Sequence, residues 1–143
     1  MSTSDQDLNL HMIGVPGFLG AFPISKIPSF CPLNNGFISN FEDFPGSHWV
    51  AVVRQPSGLY YFDSFGYPPP LKILKTLKNT SKTFYYSIPE YQKFSSDNCG
   101  EFCVDFLTRA LGGMPAHLVT KRTFLPHPSS YNEREATNFF NRK

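Results

Sequence analysis

One stretch, "HWVAVVRQPSGLYYFDSFG" (residues 48–66), leaves the chain little choice of local structure. Trp49 to Val53 and Leu59 to Phe62 are rich in the β-branched and aromatic types that suit a pleated surface. Between them, Gln55-Pro56-Ser57-Gly58 has Pro and Gly where a tight turn wants them. The stretch therefore reads as a β-hairpin. A turn centred on Pro56-Ser57 also fixes its register, because paired residue numbers must then sum to 113. His48 opposes Phe65 in that register, and Asp63 lies diagonally from His48 on the same face. Diagonal neighbours are about 7–8 Å apart, so an imidazole and a carboxylate that lean together can meet. A slip of one residue would send them to opposite faces.

The remaining elements arrange themselves around this hairpin. Residues 1–12 ("MSTSDQDLNLHM") are polar and acidic and read as a mobile lead, with one domain over residues 13–143. Residues 13–47 are rich in Gly, Pro, Asn and Ser and should form loops and short strands anchored by Phe18, Leu19, Phe22 and Phe30. After the hairpin, "LKILKTLKN" reads as a Pro-initiated helix with Leu71, Leu74 and Leu77 at three-residue spacing. "TFYYSI" reads as a further strand. Residues 99–111 form a helix with Phe102, Cys103, Phe106, Leu107, Ala110 and Leu111 on one stripe. Ser96, Asp97 and Asn98 offer N-caps for it, and Gly112-Gly113 ends it. A last helix is expected from Tyr131, with Ser130 and Glu133 at capping-box spacing and Phe139 and Phe140 as anchors.

The helix at residues 99–111 opens on Cys99. Unpaired N–H groups and the helix dipole at that position favour a thiolate, and the same N–H groups can donate to an oxyanion. Gly100 beside it lets a substrate approach the backbone. A thiol so placed still needs a base, and the base needs an orienting carboxylate. His48 and Asp63 of the hairpin are candidates for both. Taken singly, each residue has an ordinary explanation: a strand histidine packed by Trp49, a turn-starting aspartate, a small buried cysteine. Cys103, on the core-facing stripe, is read in that ordinary way.

Other chemistries fit less well. Cys99 and Cys103 lack a second close pair, and nine residues separate His117 from His127, so no metal is expected and no cofactor motif is present. Three cysteines cannot all pair internally, which fits a reduced, intracellular protein. The net charge of +2, with no run of Lys and Arg, does not call for nucleic acid. No apolar stretch approaches the roughly twenty residues of a membrane span.

In this order, His48-Trp49, Asp63 in "YYFDSFG", Gln92 and Cys99-Gly100 in "DNCGEFCVDFL" resemble the marks of the adenovirus-type (adenain-like) cysteine proteases. More distantly they are similar to the proteases that process ubiquitin-like modifiers. The six residues between Gln92 and Cys99 match the adenoviral spacing. "GFLGAFPISKIPSF" and "NEREATNFF" resemble that family's N-terminal segment and C-terminal helix. The resemblance implies an α+β fold in which a small mixed or antiparallel central sheet packs against helices, a papain-like analogue with the nucleophile at a helix N-terminus.

The same resemblance implies roles. Cys99 is the nucleophile, His48 the base and then acid, Asp63 the orienting carboxylate, and Gln92 the side-chain donor to the oxyanion; the ordinary alternative for Gln92 is a surface amide. Trp49 and Gly100 line the substrate. The implied activity is that of a cysteine endopeptidase from a virus or virus-like element, cleaving precursor capsid or core polypeptides during particle maturation as a monomer in the host nucleus or cytoplasm and in the virion. The alternatives are a protease acting on ubiquitin-like conjugates and a silent binding module on the same fold. Activation by a viral peptide or DNA is a family trait. This chain has no Cys between Asp63 and Cys99 to carry the activating disulfide, and Asp63 stands where the adenoviral enzymes have Glu.

Overall fold

A computed structural model of the chain describes residues 4–41, 48–86 and 99–120. Among these, the elements in chain order are helix α1 (Asp5–His11), strands β1 (Phe18–Phe22), β2 (Gly36–Asn40), β3 (Trp49–Gln55) and β4 (Gly58–Phe62), helix α2 (Leu71–Thr80), strand β5 (Tyr85–Tyr86), and helices α3 (Cys99–Leu111) and α4 (Ala116–Val119). The described strands form one mixed sheet in the order β1-β2-β3-β4-β5. The outer pairs β1/β2 and β4/β5 are parallel, while β2/β3 and β3/β4 are antiparallel. This is the α+β architecture expected from the sequence.

The hairpin has the register its turn predicts: Ala51 pairs with Phe62, Val52 with Tyr61 and Gln55 with Gly58. Its strands are covered on both faces, which explains the continuous apolar run of β3. Trp49, Ala51, Val53 and Phe62 meet Phe102, Cys103, Phe106 and Leu107 of α3 in one core. Val50, Val52, Leu59 and Tyr61 meet Ile73 and Leu77 of α2 in the other. Phe62 stacks on Phe106 with ring centroids 4.5 Å apart, and both are fully buried. A large buried ring of this kind contributes a few kcal/mol through the apolar surface it removes from water.

Three expectations need correction. The lead is not a mobile stretch from Ser4 onward. Ser4 and Asp7 form a reciprocal capping box at the start of α1, Leu8 and Met12 are buried in the α3-side core, and Asn9 clasps the backbone N–H and C=O of Ala21. Two apolar residues four apart are enough to dock a short helix. On α2 the buried face is Ile73, Thr76, Leu77 and Thr80, while Leu71 is exposed. That spacing follows the 3.6-residue period, from which a strict three-residue repeat drifts away. Thr76 donates to the Pro28 carbonyl, and Thr80 accepts from the Cys31 N–H, tying α2 to the segment before β2. Finally, Leu19 and Phe30 are exposed and not anchors; Phe30 instead lies under the Arg54 guanidinium. The helix expected from Tyr131 and the N-caps at 96–98 lie outside the described residues.

Helix α3 is more deeply buried than one stripe allows: Glu101, Val104 and Asp105 are covered as well. Asp105 pairs with Arg109 one turn along. The far end of α3 is held by Gln55, the last residue of β3. Its side-chain amide donates to the carbonyls of Ala110 and Met114 at 3.0 and 2.9 Å and accepts from the Ala116 N–H at 2.8 Å. One side chain thus satisfies three backbone groups where α3 ends and α4 begins.

Candidate active site

The site forms where three pieces of chain meet at one end of the sheet. Beyond β4 the backbone turns at Asp63-Ser64-Phe65-Gly66, with the Gly66 N–H donating to the Asp63 carbonyl at 2.9 Å. Gly66 sits at φ 80°, a left-handed conformation that suits glycine. The Phe65 N–H donates to Asp63 Oδ1 at 2.8 Å, so the turn holds the carboxylate through its own backbone. Asp63 is 1% exposed. On the neighbouring strand, His48 precedes β3, and its carbonyl accepts from the Phe41 N–H. The His48 ring reaches across the diagonal and makes a close hydrogen bond from Nε2 to Asp63 Oδ1. The register read from the turn is what lets these two side chains meet.

The third piece is the start of α3. Cys99, its first residue, is 8% exposed, and its Sγ accepts from the backbone N–H of Trp49 at 3.3 Å. The sulfur therefore lies against the strand residue next to His48. With Nε2 committed to Asp63, the nitrogen left for the sulfur is Nδ1, which is buried. Burial works against charge on the His48 ring. The hydrogen-bonding and electrostatic influence of Asp63 and of Cys99 outweighs it, and the imidazole pKa rises from 6.5 to about 9. Asp63 and Cys99 thus both favour the protonated ring. By contrast, burial pushes the Cys103 thiol well above its ordinary range, and Cys31 rises to about 11 for the same chief reason. Those two are inert core thiols.

Of the expected site residues, the structure brings Cys99, His48 and Asp63 together. Trp49 and Gly100 are both buried. The Trp49 indole belongs to the α3-side core, so the part of Trp49 that reaches the sulfur is its backbone N–H. Gln92 lies outside the described residues. Two neighbours were not singled out from the sequence as members of the site. Phe65 stacks on the His48 ring, and Phe41 meets that ring edge-on. The sum of 113 that pairs His48 with Phe65 was the signal for the first; nothing local marks Phe41. Among the described residues, no group of three or more His, Cys, Asp or Glu side chains could hold a metal, and no helix is long and apolar enough to cross a membrane.

No family model matches the chain, and no curated protein does. Solved structures do. A crystal structure of the selenomethionine ASFV pS273R protease superposes with a TM-score of 0.63 at 16% identity, covering 95% of this chain and 66% of that one. A second structure of the ASFV pS273R protease gives 0.62 at 15% identity, with the same coverage. The chain spans 66% of that protease's length, and the likeness joins a five-stranded mixed sheet flanked by helices to a fold already seen in a viral protease. By architecture, this chain has the fold of the ASFV pS273R protease.

Proposed function

We propose that the chain is a cysteine endopeptidase of a virus or virus-like element, and that it cleaves precursor capsid or core polypeptides during particle maturation. The observation that carries this reading is the convergence of Asp63, His48 and Cys99. A buried carboxylate orients an imidazole and favours its protonated form, beside a sulfur at a helix start that already accepts a backbone hydrogen bond. The fold shared with a viral protease supports it.

The chemistry follows from the atoms. The Cys99 thiol gives its proton to His48 Nδ1, and the thiolate attacks a peptide carbonyl, forming an S–C bond and an oxyanion. Backbone N–H groups at the start of α3 receive the oxyanion, and the role that the resemblance gives Gln92 is to donate its side-chain amide to the same oxygen. His48 gives its Nδ1 proton to the leaving amine as the C–N bond breaks, and an acyl-enzyme remains. Water then attacks, His48 takes its proton, and the acid leaves as the sulfur is released. Throughout, Asp63 keeps the ring turned so that Nδ1 faces the reacting atoms.

The test is cleavage of a purified structural precursor from the same virus by the wild-type chain and by Cys99→Ala. Loss of turnover by at least about 10³-fold, with the fold intact, is the expected result; retained cleavage removes the assignment. Activity confined to a ubiquitin-like C-terminal probe would move the substrate class to modifier conjugates. A Cys99 that alkylates no faster than a free thiol would make the domain a binding module.

A further inference from the structure

Helix α2 gathers a charge that the chain disperses. Residues 64–89 hold Lys72, Lys75, Lys78 and Lys82 and no Asp or Glu. Steps of three keep the lysines from forming a run in the sequence, but a helix brings residues so spaced to one side. Ile73, Thr76, Leu77 and Thr80 take the buried face of α2, and all four lysines are exposed. The Thr76 and Thr80 hydroxyls tie the helix to Pro28 and Cys31, so the basic face stands on a fixed frame. Among the described residues, none of the four ammonium groups is in an ion pair.

This layout works against the helix itself. Like charges three or four residues apart oppose helix formation. Lys72 also lies in the first turn, where the dipole favours an anion and α2 has none. A surface that serves only solubility intersperses both signs. With these lysines set aside, nine of the 13 basic residues remain against 11 acidic ones. The stripe therefore supplies the whole positive excess of the chain.

Its place relative to the site limits what it can do. Tyr67 meets the Phe65 ring in the turn that carries Asp63, and α2 begins four residues later at Leu71. Nine peptide steps join Asp63 to Lys72, so the two are at most about 32 Å apart. An extended polypeptide of about ten residues covers that distance. A nucleic-acid duplex or a membrane meets a protein over a surface broader than one helix, and would meet acidic residues along with the stripe. A short acidic segment meets the lysines alone.

We propose that the Lys72, Lys75 and Lys78 face of α2, extended by Lys82, is an exosite for an acidic segment of the polypeptide substrate. This rests on the reading of the chain as an endopeptidase, and it names a substrate class for that activity: precursors that carry a run of Asp and Glu within about ten extended residues of the bond cut.

The first experiment needs no turnover. A fluorescent decaglutamate peptide is titrated into the full chain carrying Cys99→Ala. The same titration is made with Lys72→Gln, Lys75→Gln and Lys78→Gln added together, and with the three Lys→Arg changes instead. The Gln variant should bind about tenfold more weakly and the Arg variant like the parent. Raising NaCl from about 50 to about 200 mM should weaken the parent severalfold and the Gln variant hardly at all. Relief of repulsion should leave the Gln variant at least as stable to urea. Equal binding by the parent and Gln chains overturns the proposal. Tighter lysine-dependent binding of DNA of the same charge, or of phosphatidylcholine vesicles containing phosphatidylserine, overturns it too and gives the face to another polyanion.

The second experiment reads cleavage. A peptide spanning a cut site of the precursor is compared with the same peptide extended by decaglutamate. The extension should lower KM about tenfold at unchanged kcat in the wild type, and bring no advantage in the Gln variant. The unextended peptide should be cleaved equally by both chains. An extension without effect on the wild-type KM overturns the exosite while the endopeptidase stands. Lysine-dependent binding with no cleavage of any precursor peptide removes the endopeptidase reading, and with it the exosite, and leaves a docking face for acidic polypeptides.

Discussion

Raising the pH should weaken the fold through one imidazole. His48 has a pKa of about 9 in the folded chain against an ordinary 6.5. A group whose pKa rises on folding stabilises the native state while it is protonated there. Below about pH 6.5 the ring carries its proton in both folded and unfolded chains, and the full contribution is present. Between 6.5 and 9 only the folded state keeps the proton, and stability declines as pH rises. Above about 9 both states are neutral and the contribution is gone. At about 1.4 kcal/mol per pH unit, the interval from 6.5 to about 9 corresponds to roughly 3 kcal/mol. With a urea m-value near 2 kcal/mol per molar, that is a fall of about 1.5 M in the unfolding midpoint. The assay is urea unfolding at several values between pH 6 and 10, for the wild type and for His48→Gln. The difference between the two chains isolates the imidazole from every other titrating group. It should shrink steadily across the window, and shrink less in a Cys99→Ala background, because Cys99 is one of the groups that raises the pKa. A wild-type-minus-Gln difference that stays constant from pH 6 to 10 would refute the buried cation.

Two further outcomes follow from the packing. Gln55→Ala strips partners from the carbonyls of Ala110 and Met114 and the N–H of Ala116; it should cost about 2–3 kcal/mol by denaturant unfolding, with amide exchange speeding up first at the end of α3. Phe106→Ala removes a fully buried ring from its stack with Phe62 and should cost about 3–5 kcal/mol in the same measurement, whereas Phe106→Leu should cost far less.

Much of the sheet centre could be read from the sequence, because a Pro-Ser turn of fixed length carries its register outward to every pair. That is why the sequence alone puts His48 and Asp63 on one face, with Phe65 opposite His48. Helix α3 could be read because its apolar stripe is long and ends at Gly112-Gly113. Other features depend on what packs where. Helix α1 docks through only two apolar side chains, Leu8 and, just past its end, Met12, too few to stand out in a polar segment. The inward face of α2 includes Thr76 and Thr80, whose hydroxyls serve distant backbone groups near Pro28 and Cys31 that no local pattern announces. Gln55 looks like a turn residue in the chain and acts as a long-range tie in the fold. Phe41 reaches the imidazole by tertiary approach across the sheet.

That tie has a mechanical meaning. Strand β3 extends about 23 Å and helix α3 runs about 20 Å beside it, and the two are fastened to each other near both extremities. At one extremity the Trp49 amide meets the Cys99 sulfur; at the other Gln55 grips the carbonyl of Ala110. Two rods bolted at both ends can neither slide nor scissor. The gap between sulfur and imidazole is therefore gauged partly by an amide a full strand away, and loosening that remote bolt would cost alignment at the reacting end before it cost the fold.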